Sequence, residues 1–67
     1  MTLREFIKLV PAVTPIGIYN AKTGKQLVEI TYSDSINKEH DNMLQCTVTK
    51  VSARILYGFQ QVLIYIK

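Results

Sequence analysis

The stretch from Pro15 to Ser33 leaves the chain the fewest options. It reads P-I-G-I-Y-N, then A-K-T-G, then K-Q-L-V-E-I-T-Y-S. Ile16, Ile18 and Tyr19 run into a polar turn, and Leu27, Val28, Ile30 and Tyr32 run out of it. Gly24 sits where a short antiparallel loop needs a residue with φ > 0, which glycine adopts without strain. A β-hairpin is the expectation, with Lys22 and Lys25 at its tip. Within the second strand Val28, Ile30 and Tyr32 alternate with Leu27, Glu29 and Thr31, the period of a sheet with one drier face.

The hairpin needs something to lie against. Upstream, Thr2 and Glu5 form a T-x-x-E capping box. Leu3, Phe6, Ile7 and Val10 then fall on one helical face, and Pro11 ends the helix. An isolated helix of about eight residues is unstable in water, so its apolar stripe must rest on the sheet. Downstream, Ser33 to Asn42 is polar and charged with Ile36 as its only aliphatic residue. That composition reads as a mobile surface loop, with one helical turn at most. Met43 to Leu56 reads as a strand, and its apolar parity changes near Thr49 and Lys50, which predicts a β-bulge. Tyr57-Gly58-Phe59 reads as a turn, and Val62 to Ile66 is continuously apolar, as in a strand covered on both faces.

The expected architecture is a single α+β domain over residues 1–67. One short N-terminal helix packs on a four-stranded antiparallel sheet of two hairpins in the order 2-1-4-3. The other sheet face is expected to carry residues from the set Leu63, Tyr65, Tyr19 and Leu27, apolar enough to suggest an interface. A chain of 67 residues buries only about 60% of its unfolded surface and is marginal alone. Cys46 is the one cysteine, so no internal disulfide can help, and with His40 the only histidine a zinc site is not expected. Self-association as a homodimer or higher oligomer is the expected remedy.

The formal net charge of +3 favours anionic partners and disfavours a DNA-mimicking surface. Arg4, Glu5 and Lys8 interrupt the N-terminal apolar residues, unlike a signal peptide, and Val62 to Ile66 is far below the roughly 20 residues of a membrane helix. The expected compartment is the cytoplasm, with no membrane partner.

No motif names a reaction. Thr23-Gly24-Lys25 is not a P-loop, because Tyr19 stands where the first glycine belongs and Gln26 where Ser or Thr belongs. Cys46 lies in an apolar pattern and reads as a small buried hydrophobe, not a nucleophile served by His40. Asp34, Glu39, His40 and Asp41 lack a ligand spacing and read as a solvated loop. No catalytic residue, metal ligand or cofactor is expected, and no RNP-like pattern supports sequence-specific nucleic-acid binding. The tyrosines and neighbouring cations are the candidates for binding: Tyr19, Tyr32 and Tyr57 to stack, Lys50 and Arg54 to meet phosphate, Lys22 and Lys25 to close over it. Packing of those rings in a core or dimer is the competing reading.

The runs T-L-R-E-F-I-K-L-V-P, I-Y-N-A-K-T-G-K and V-L-I-Y-I resemble short accessory proteins of phages and prophages of Gram-positive bacteria. The resemblance spans most of the chain, from Thr2 to Ile66, and consists of structural residues. The resemblance implies a non-enzymatic binding protein of the host-cell cytoplasm, one class of which sequesters nucleotide immune signals as sponges. Two readings are carried forward: sequestration of a small anionic nucleotide-derived ligand at a subunit junction, and inhibition or adaptation of a host protein through the sheet face or an edge strand. An enzyme is the third and least supported.

Overall fold

The computed structural model describes residues 1–67. The element order is α1 (Leu3–Lys8), β1 (Pro15–Asn20), β2 (Gln26–Tyr32), α2 (Ser33–Glu39), a 3-10 turn (Asp41–Met43), β3 (Val48–Leu56) and β4 (Phe59–Ile66). The strands form one sheet in the order β2-β1-β4-β3. Both hairpins are antiparallel, but the central pair β1–β4 is parallel, with Ile16 opposite Val62 and Tyr19 opposite Tyr65. The fold is therefore α+β with a mixed sheet, in the expected strand order but without the expected antiparallel centre.

The parallel pair follows from a second departure. Ser33–Glu39 is a helix, not a loop, with Ser33 and Ile36 buried. No side chain caps its start. Instead the Ser33 and Asp34 N–H groups donate to the carbonyls of Thr14 and Ala12 at 3.0 and 3.1 Å. The Ser33 hydroxyl donates to the Pro11 carbonyl at 2.7 Å. The connector after α1 thus supplies acceptors that the local sequence lacks. Running through α2 and the 3-10 turn, the chain returns to the end of the sheet where β2 began. It starts β3 parallel to β2, which makes β1 and β4 parallel in turn.

Two further boundaries differ. α1 ends at Lys8, and its capping box is complete: the Glu5 N–H donates to Thr2 Oγ1, and the Thr2 N–H donates to Glu5 Oε1. Met43 to Thr47 is not strand; Leu44 reaches the core from a turn, and the Cys46 side chain packs beside it. The bulge is where the parity change puts it, between Val48 and Lys50.

The core lies between the helices and one sheet face. It consists of Leu3, Ile7, Ile16, Ile18, Val28, Ile36, Leu44, Ile64 and Ile66. Leu3 and Ile7 carry the α1 contact, whereas Phe6 is only half-buried. No helix is long and apolar enough to cross a membrane.

Candidate functional site

Side chains of alternate parity stand on the sheet face without helices, arranged in rows by register. Tyr19, Tyr65 and Lys50 make the first row across β1, β4 and β3. The two rings stack with centroids 5.3 Å apart, and Lys50 Nζ lies 5.3 Å from the Tyr65 centroid. That distance lets the ammonium meet the negative ring face. The next row is Gly17, Leu63 and Ser52. A Cβ on Gly17 would come within 2.7 Å of Ile30 Cδ1 and about 3.5 Å of Tyr19 and Leu63, so its missing side chain lets these three close together. Leu63 is buried as a result, although no helix covers it.

The third row is Gln61 and Arg54, where Arg54 Nε donates to Gln61 Oε1 at 2.9 Å. Beside it lies a groove of about 460 Å³ lined by Pro15, Ile30, Thr31, Tyr32, Phe59 and Gln61. Register makes this groove. β1 starts at Pro15, but β4 starts at Phe59, before its first partner on β1 at Val62, so the start of β4 overhangs. Tyr32 and Phe59 flank the groove and are 56% and 69% exposed. Its volume falls within the usual range of small-molecule sites.

The seven residues expected to bind do not meet in one place. Tyr32 lines the groove, Arg54 reaches it through Gln61, and Tyr57 is in the turn beyond it. Tyr19 and Lys50 are in the first row, four positions along β4 from Gln61, or about 13 Å. Lys22 and Lys25 are in the β1–β2 turn, past that row and farther from the groove. There Asn20 Oδ1 accepts from the Lys22 and Thr23 N–H groups, and Gly24 takes φ 75°. Within one chain Lys22 and Lys25 do not close over Arg54.

Sequence reasoning missed Phe59 and Gln61, which share parity with Leu63 and Tyr65 on β4. That alternation was the available signal, hidden in a run apolar on both parities. Asp34 forms an ion pair with Lys38 at 3.1 Å, and no group of three or more His, Cys, Asp or Glu side chains is placed to hold a metal ion. The one ionisable group clearly shifted is Glu5. Hydrogen bonds from the Thr2 backbone and then its side chain hold its carboxyl below the ordinary value.

No protein-family model, no curated protein and no solved structure matches the chain.

Proposed function

We propose that the protein is a non-enzymatic binder that sequesters a small anionic, nucleotide-like ligand, holding it unconverted against the helix-free sheet face. The observation that carries this reading is the groove: two exposed aromatic walls, Tyr32 and Phe59, with Arg54 tethered to the lining residue Gln61. An aromatic ring accepts any base through its π-face at roughly 1–3 kcal/mol per contact. A guanidinium held by one hydrogen bond keeps other N–H groups free for phosphate. The formal charge of +3 supports an anionic ligand. Phage origin and a role against host immunity belong to the same proposal through the sequence resemblance.

Calorimetry against a panel of nucleotide second messengers tests it. Wild type should bind at least one, Tyr32→Ala and Arg54→Ala should weaken that binding, and the recovered ligand should be chemically unchanged. Silence across the panel with folded protein overturns the reading, and a converted ligand overturns its non-enzymatic part.

A second reading, an inhibitor or adaptor of a host protein, is favoured by the far end of the β3–β4 hairpin. Ile55, Tyr57 and Phe59 stand in solvent there, and Tyr57 is 89% exposed with φ 54°, where non-glycine residues are uncommon. A bulky ring kept in solvent at a strained turn position is a contact waiting for a surface.

A further inference from the structure

The two edge strands of the sheet differ in what they offer a neighbour. β2 is broken by register irregularities at two points, which blunt it as a template. β3 pairs with β4 without interruption from Lys50 to Leu56. The start of β3 is already used: the Val48 N–H donates to the Met1 carbonyl at 2.8 Å, and Thr2 bridges Thr47. Beyond that point the outer edge of β3 has no partner in the chain.

The turn determines which groups face outward. Tyr57 and Gly58, with φ 54° and 79°, make a two-residue loop, so Leu56 and Phe59 are a hydrogen-bonded pair. Counting back, Leu56, Arg54, Ser52 and Lys50 direct their backbone groups to β4. Val51, Ala53 and Ile55 direct theirs to the free edge. The side chains of these three lie on the helix side of the sheet but are solvent-exposed. The free edge is therefore a regular ladder under an uncovered apolar row.

We infer that this edge pairs with the β3 of a second copy, antiparallel about a two-fold axis at Ala53. Charge and space select that register. Centring on Ser52 sets Lys50 against the partner's Arg54 and needs the edge at Val48 that Met1 occupies. Centring on Arg54 sets the two guanidinium groups face to face. Like charges directly opposite are destabilising. Centring on Val51 again runs into Val48 and the bulge. With Ala53 on the axis, Val51 lies opposite the partner's Ile55, Arg54 opposite the partner's Ser52, and Lys50 opposite the partner's Leu56. The overlap runs from Lys50 to Leu56, the length of edge left free.

The pairing makes one eight-stranded sheet and joins the two helix-free faces. Lys50 and Arg54 of both copies then form a basic strip beside the axis, the two Arg54 positions on a cross-strand diagonal of about 7–8 Å. Each Arg54 stands between its own groove and this strip. That last consequence rests on the ligand reading above; the pairing itself does not.

Sedimentation of wild type at micromolar concentration should give twice the 7.6 kDa chain mass. Ala53→Pro removes an outward N–H and leaves the β3–β4 ladder intact, so it should give a folded monomer by circular dichroism. Val51→Glu should dissociate the dimer, and adding Ile55→Lys in the same chain should restore it through the new cross-axis ion pairs. In a Cys46→Ala background, oxidised Ala53→Cys should cross-link far faster than Ser52→Cys or Lys50→Cys. A folded wild-type monomer overturns the pairing, as does a dimer indifferent to both Ala53→Pro and Val51→Glu. Preferential cross-linking through Ser52→Cys overturns the register. Nucleotide binding by a monomeric wild type would leave the ligand reading standing, and a dimer silent to the panel would leave the pairing standing.

Discussion

The two hairpins use the same device for opposite ends. In β1–β2, the turn is a polar loop, stitched by Asn20 Oδ1 and closed by Gly24, and the strands supply Ile16, Ile18 and Val28 to the core. In β3–β4, the last residues before and after the turn are apolar, and the helices do not reach them. Ile18 is fully buried; Ile55, of the same residue type, is 76% exposed. A strand former in a regular ladder is thus not in itself a core residue. Which half of a strand the helices cover decides that, and the uncovered half is surface available for contacts.

The largest test of this contrast is the same truncation at both places. Ile18→Ala should lower unfolding free energy by about 2–5 kcal/mol, enough to unfold a domain this small. Ile55→Ala, measured on dilute protein, should stay within about 0.5 kcal/mol. Equal losses in urea denaturation would mean the hairpin end is packed in solution.

Ser33→Ala ranks next. It removes the hydroxyl donor to the Pro11 carbonyl, which keeps the Thr14 N–H, and loosens the tie between α2 and the connector, at about 0.5–1.5 kcal/mol. Faster amide exchange in α2 than in β4 would locate the effect. Tyr57→Asn acts in the other direction. Asparagine tolerates φ > 0 in a two-residue hairpin, so stability should rise by about 0.5–1 kcal/mol. If the ring is a contact, partner binding should fall in the same variant.

The smallest effect is titration of Glu5. Its carboxyl is held below an ordinary value of 4.5 by the Thr2 hydrogen bonds. The folded state therefore favours the ionised form. This stabilisation is present above pH 4.5 and is lost as pH falls below that value through the lowered folded one. Glu5→Gln should flatten the acid limb of the stability curve, and an unchanged limb would show the capping box to be frayed in solution.

Local features of the fold were legible in the residues. The capping box, the Gly24 turn and the bulge beside Thr49 each rest on neighbours in sequence, and the strand order followed from the apolar character of the first and last strands, which puts them at the centre. α2 was not legible, because Ser33–Glu39 has one aliphatic residue and no capping side chain. Its start is secured by Pro11, Ala12 and Thr14, some twenty positions away, and nothing in the segment announces them. The parallel centre was lost with it. For the site, residue types pointed to Tyr32 and Arg54, but the groove depends on the stagger between β1 and β4, which is tertiary. Lys22 and Lys25 were assigned by charge alone, and position separates them from the groove.

The parallel pairing of β1 with β4 also governs how the chain reaches this state. Ile16 and Val62, 46 positions apart, must meet before the sheet has a middle. Each hairpin can close on its own within microseconds, since its contacts are local. The two share one sheet only once they dock, and loop closure over that span must precede any gain from it. Until then Ile16 and Ile18 lack the Ile64 and Ile66 side chains that share their core, so the middle of the sheet waits on this one long-range pairing.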